Sequence, residues 1–555
     1  MLDRLLPDHS TDARAGSAPQ LNFAPGQVSS QERGAAESRT FLGDGSRIGL
    51  AAHERFEREV SEPMKQKHTL GRMLAFLIIA VSWGWPATFY FDLPLSFCSD
   101  STLSFFQSLC CAAEFDPSLR AKAPPGTESR PAGLYTKAAL VGLFQRSNKS
   151  EINSEQSGLI ASPEPGWPQW RGRRRDGISD ETGLLPRWPD GGPKLLWKVG
   201  GLGQGWSSPI VVGNRLFITG DIDEQLVIFA FDTSGNLLWK TTNGRAWTGP
   251  YPGSRACCAY SEGRLYHSNA HGRVACLEAT TGRELWALDM IERFRSRGIT
   301  WGLSECLLVD GDHLILTPGG EKAFMVAIDK NSAEIKWLTP PIPDDFVSHA
   351  SPILFRWGGK RLITTCSAGH AFGVDVDTGQ LLWAQPMRNR FDTNVATPIF
   401  GDGCLFYVTP YTHLGRLYRL QPSEGSWRLE HLWTHPVDTV TGCGVFLDGV
   451  LYIGGYRQAK WWFAIDWKTG QTLGEFKDLT TGAAIYADGR LYVLDETGKV
   501  ALLEVGRFGF RLVSQFRLPA QQRIRDAWAH PVICDGRLYL RYHDTLWCYD
   551  IQAAR

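Results

Sequence analysis

Leu277-Glu278-Ala279-Thr280-Thr281-Gly282-Arg283-Glu284-Leu285-Trp286 decides the fold, because the chain writes this phrase repeatedly. Related phrases run from Phe231-Asp232 through Gly235 to Trp239, from Ile328-Asp329 to Trp337, and from Val374-Asp375 to Trp383. Ile465-Asp466 to Gly470 keeps the turn and ends on Phe476 instead. An acidic residue followed by Thr-Gly is a hairpin turn, since the carboxylate accepts local amides and glycine takes positive φ. The tryptophan then sits at a fixed place on the outer strand, where it can fill the gap to the next unit while its N–H finds a partner.

A second phrase frames the first. A turn glycine shortly precedes Leu216, Leu265, Leu314, Leu362, Leu405, Leu451, Leu491 and Leu538, and most of these leucines are followed by an aromatic residue. Their spacings are 49, 49, 48, 43, 46, 40 and 47. The glycine makes a tight turn and the leucine begins the next strand. Four short strands in 40–50 residues are roughly one β-propeller blade, which cannot bury its faces alone. The last unit stops one strand short, and the missing strand stands at the front: Lys194-Leu195-Leu196-Trp197 matches Asn236-Leu237-Leu238-Trp239. The repeat therefore predicts an all-β fold over residues 164–555, an eight-bladed β-propeller of four-stranded blades. The N-terminal strand joins the last blade and leaves no free edge.

Composition agrees. The 58 glycines and 21 tryptophans suit hairpins and blade seams, and 58 basic residues against 58 acidic ones give no excess charge for a nucleic-acid surface. A 43% hydrophobic share is enough for a large core. Ahead of the repeats, residues 1–63 are polar and aperiodic and read as a disordered upstream extension, with Met64 as a natural start. Lys65, Lys67 and Arg72 precede the apolar run 74–81, so residues 64–92 read as a signal peptide or signal anchor. Residues 93–163 read as a tether. The expected location is periplasmic or cell-envelope, with membrane contact through this segment only and anchoring if it stays uncleaved. The basic run from Arg171 to Arg175 reads as a solvated loop.

These phrases, together with Trp167-Pro168-Gln169-Trp170-Arg171-Gly172 and Ser207-Ser208-Pro209, resemble the pyrroloquinoline-quinone (PQQ) repeat propellers, in particular a bacterial envelope branch. That superfamily holds quinoprotein alcohol dehydrogenases, poly(vinyl alcohol) dehydrogenase-like proteins and the non-catalytic propeller of outer-membrane protein assembly. The resemblance thus implies either a binding or scaffold module in the cell envelope or a PQQ-dependent oxidoreductase acting on an alcohol. The first would hold an envelope protein, a polymer or a small-molecule ligand in its central funnel. The second would take PQQ with calcium.

The resemblance also suggests where a cofactor would lie. It places Cys257-Cys258 as an adjacent-cysteine disulfide packed on PQQ; as residues, the two read equally as small apolar fillers. It makes Glu305 a calcium ligand pointing into the funnel, against a simpler role as a satisfied polar residue at a loop–strand junction. Asn394 is the candidate for a second ligand. Arg255 can meet a carboxylate with its planar fork, beside aromatic walls from Trp247 and Tyr251. Trp301, Trp528 and His530 begin inner strands and complete a polar-aromatic funnel. No general base and no Trp-Asp floor for the quinone is found, which favours the binding module, and no catalytic residue is assigned. Nine cysteines fall in the propeller, an odd number.

Overall fold

The computed structural model describes residues 158–554 apart from 412, 413, 424, 425, 441 and 520–525. The expected extension and signal segment, and the tether up to residue 157, lie outside the described residues. Among the described residues no helix is long and apolar enough to cross a membrane.

Eight antiparallel sheets form the eight blades of a propeller. Blade 1 shows the unit: Ile210–Val212, Arg215–Ile222, Gln225–Asp232 and Leu237–Arg245 pair in sequence order from the channel outward. Blades 2 to 7 span 259–289, 308–338, 353–386, 399–435, 445–476 and 482–517. Blade 8 takes three strands from the C-terminal end, Val532–Cys534, Arg537–Tyr542 and Thr545–Asp550. Its outer strand is Lys194–Val199. Lys194 pairs with Asp550 and Val199 with Leu546, so the predicted closure is present. The leucines at 216, 265, 314, 362, 405, 451, 491 and 538, on the second strand of each blade, are all fully buried.

The tryptophan of one blade docks on the turn of the next. Trp197 donates its indole N–H to Thr233 O at 2.9 Å, Trp239 to Ala279 O at 3.2 Å and Trp286 to Lys330 O at 3.1 Å. Trp337 reaches Val376 O at 2.8 Å and Trp433 reaches Trp467 O at 3.0 Å. Each acceptor is the residue just after the acidic one of the turn. The turn glycine has a matching duty. Gly282 has φ +74°, and a Cβ there would lie 2.5 Å from the Trp239 ring. Glycine is thus required twice at this point, for the turn and for the indole lying on it. The seam between blades 4 and 5 is different: Trp383 bonds the Tyr407 hydroxyl at 3.3 Å, because blade 5 replaces the short turn with the long hairpin Leu414–Ser423 and Ser426–His435.

Two sequence expectations need correction. Residues 158–163 are part of the propeller, not tether: Gly158–Leu159 adds a strand to the inner edge of blade 4, pairing Leu159 with Phe355. Nor is the basic run a solvated loop. Arg171 and Arg175 are only 3% and 2% exposed, because the segment from 158 to 181 lies across one end of the central channel as a plug.

Every blade holds this plug. Trp167 and Val211 of blade 1 exchange backbone bonds, Tyr260 N of blade 2 donates to Pro168 O, and Ile160 N donates to Leu354 O of blade 4. Arg175 donates to Cys306 O at 2.7 Å and Leu307 O at 3.0 Å, beside blade 3. Trp170 bonds Thr397 Oγ1 at 2.9 Å before blade 5, and Arg171 bonds Gly444 O at 2.7 Å before blade 6. Tyr486 of blade 7 exchanges bonds with Gly177 and Ser179, and Glu181 accepts from Asp535 N and Gly536 N of blade 8.

Candidate functional site

The residues leading into the inner strands organise the channel. Two residues before each inner strand stand Ser208, Cys257, Cys306, Ser351, Thr397, Cys443 and His530, in blades 1 to 6 and 8. Neighbours in this girdle hydrogen-bond around the ring. His530 N donates to Ser208 Oγ at 2.8 Å, Cys306 N to Ser351 Oγ at 3.0 Å, and Cys257 N to Cys306 Sγ at 3.4 Å. Plug side chains meet the girdle from one side: Trp170 bonds Thr397 and lies 4.4 Å from the His530 ring.

Two residues earlier stand Trp206, Arg255, Ser304, His349 and Trp528. In extended chain, residues two apart share a side, so this second ring sits one step further toward the unplugged mouth. Ser304 Oγ lies 3.1 Å from His349 Nδ1, and Trp206 stacks on Trp528 with centroids 4.5 Å apart. Tyr251 extends that stack, 5.3 Å from Trp528, while Trp301 lies 6.4 Å from both His349 and Phe391.

Arg255 is the electrostatic centre of the mouth. Its guanidinium donates to Gly253 O at 2.5 Å, Tyr251 O at 2.7 Å and Pro250 O at 3.1 Å, and lies 5.5 Å over the Trp247 ring. It therefore fixes the 247–253 loop. Burial pulls it down to about 10, opposed by the Asp221 carboxylate. Burial and the Arg255 charge together hold His349 neutral, down at about 3.

The other predicted residues lie elsewhere. Glu305 is one step out of phase with the girdle, so it turns into blade 3: its two oxygens accept from Thr317 N at 3.0 Å and Thr317 Oγ1 at 2.6 Å. Burial raises it to about 7 against those bonds and the Arg175 charge. Asn394 is fully buried, donating to Ser367 O at 2.6 Å with its Oδ1 facing Asn389 Nδ2 at 3.3 Å. Arg255, Trp301 and Trp528 thus share the mouth, whereas Glu305 and Asn394 are each tied into separate hydrogen-bond sets. That donor set does not fit a calcium ion held between them. Cys257 sits in the girdle with its sulfur 3.3 Å from Cys306 Sγ, and Cys258 packs in the core between blades 1 and 2. All nine described cysteines are free thiols.

Sequence reasoning missed the plug arginines and His349. A signal was there for the former: Trp167, Trp170, Arg171 and Arg175 crowd a segment outside every repeat.

Comparison with known proteins follows the same lines. Residues 223–473 match the sequence family described as outer membrane protein assembly factor BamB. In its repeats and its eight-bladed fold the chain is similar to the PQQ-like repeat propellers. Among relatives of these propellers, the BamB of Yersinia pestis is 22% identical over 285 residues, covering 48% of this chain and 67% of that one. The quinohemoprotein alcohol dehydrogenase ADH-IIG of Pseudomonas putida is 27% identical over 170 residues, 26% of this chain but only 22% of the dehydrogenase. The quinohemoprotein alcohol dehydrogenase structure from Comamonas testosteroni superposes with a TM-score of 0.50 at 13% identity, over 71% of this chain and 82% of that one. At that identity the likeness speaks for the fold alone.

Proposed function

We propose that this PQQ-like propeller is a binding or scaffold module of the cell envelope, with the unplugged mouth as its functional face. The observation that carries this reading is the division of labour along the channel. The plug and girdle use their polar atoms on the fold, while the mouth collects half-buried aromatics around Arg255, a surface suited to a protein segment or a polymer. Similarity to an outer membrane protein assembly factor over two-thirds of that protein's length supports a protein partner in the envelope.

The dehydrogenase reading finds less support. A cofactor-dependent alcohol oxidation needs a metal site and a base beside the quinone, yet Glu305 faces Thr317 and Asn394 faces backbone carbonyls. The test is to titrate the purified chain with PQQ and Ca²⁺, following tryptophan fluorescence and dye reduction with an alcohol panel. We expect neither saturable quenching nor turnover. Quenching that saturates and disappears in Arg255→Ala would reverse the conclusion.

A further inference from the structure

The girdle contains one place where successive blades both carry cysteine. Cys257 and Cys306 are 49 residues apart, which is the spacing of Leu265 and Leu314, so they are the same residue of blades 2 and 3. In blades 1 and 4 the girdle uses serine: Ser351 accepts the Cys306 N–H just as Cys306 Sγ accepts that of Cys257. Cysteine here therefore performs a bond that serine performs in other blades, and the sulfur is surplus to it. Its effect is to set two thiols 3.3 Å apart across a blade seam.

The neighbourhood favours ionisation of one of the two. Burial lifts the Cys257 thiol well up, and its contact with Cys306 adds to this. On Cys306 burial acts the same way but is outweighed by the Cys257 hydrogen bonds, the Arg175 charge and Ser351, leaving that thiol below its ordinary value. An attacking thiolate beside a protonated partner is the arrangement from which disulfide exchange starts.

We propose that Cys257 and Cys306 form a cross-blade oxidation site that staples blade 2 to blade 3. The two thiols release two protons and two electrons to a small disulfide donor such as oxidised glutathione. The donor leaves as two thiols, and one S–S bond joins the blades. Both sulfurs are buried in the finished ring, so the exchange belongs to the folding chain, while blades 2 and 3 already meet and the site is still open to the donor. The site does not depend on what the mouth binds.

The test is to refold the full chain in glutathione buffers of rising oxidised fraction, alkylate, and map peptides without reduction. The expected result is loss of two alkylatable thiols, a peptide joining Cys257 to Cys306, and a thermal midpoint above that of the reduced protein. Cys258→Ser should keep the link. Cys257→Ser and Cys306→Ser should each abolish it and the midpoint gain while still folding, since serine fills this place in blades 1 and 4. A Cys257–Cys258 link would overturn the proposal, as would folded chain with no Cys257–Cys306 link at any glutathione ratio. The wild-type map alone decides this, so the proposal does not hang on a variant that folds poorly.

Discussion

The wall of the channel and its plug are built on opposite principles. The wall is eight copies of one unit, and at five of its seams the indole of one blade bonds the turn of the next. The plug is a single copy of an aperiodic segment that touches all eight units. Loss of one wall contact weakens one seam, whereas loss of one plug contact removes a tie between blades that never meet. Repetition supplies the ring, and the one unrepeated piece couples its members across the axis.

That contrast can be broken most directly at Arg175. Arg175→Ala strands the Cys306 and Leu307 carbonyls in the interior and should cost about 3 kcal/mol or more by urea unfolding. A loss near zero would make the plug a mere ornament. Gly282→Ala attacks the wall, driving a methyl into the Trp239 ring as well as straining a left-handed residue, for about 2–3 kcal/mol. Gly263→Ala is its control, with φ +79° and nothing within 4 Å of the new methyl; about 1 kcal/mol is expected. Equal losses at the two glycines would mean the indole contact adds nothing.

A smaller effect separates the two regions by pH. Glu305 belongs to blade 3, yet the plug's Arg175 lies near it. Its folded value of about 7 is above the ordinary 4.5, so the folded state holds its proton more tightly. Its contribution to stability is present below pH 4.5 and is lost as pH rises through 7. Glu305→Gln should therefore flatten the decline in thermal midpoint over that window, and an unchanged pH profile would show that Glu305 is ionised at no cost. The smallest change is expected at the mouth. Trp528→Ala should shift stability by about 1 kcal/mol while removing part of the stack with Trp206 and Tyr251. Its readout is ligand binding at the mouth, the face proposed above to be functional, which should weaken while the ring stays folded.

The wall was legible in the sequence because every element has a local cause that recurs. Asp466 and Gly470 make a turn by themselves, Trp239 must dock somewhere, and the strand missing after Asp550 had a matching candidate at Lys194. The plug was not legible because its causes are distant. Arg171 and Arg175 look like any basic run until Cys306, Gly444 and His530 come into reach, and nothing nearby in the chain names them. Glu305 shows the intermediate case: its place before an inner strand was readable, but its phase was not, and one step of alternation turned it from the channel to Thr317. Cys257 and Cys306 were readable in principle, since their spacing is the repeat itself.

The plug and the outer strand of blade 8 both precede the first blade in the chain, and their partners are strung along its whole length. A ribosome delivers them first, and they must wait for residues 532–550 before Lys194–Val199 can pair and for blades 6 to 8 before Arg171 and Tyr486 find their bonds. Long-range pairing of this kind forms late. The head of the chain thus serves as a test of completeness: a product cut short keeps an unsatisfied leading strand and an open axle, both handles for chaperones and proteases.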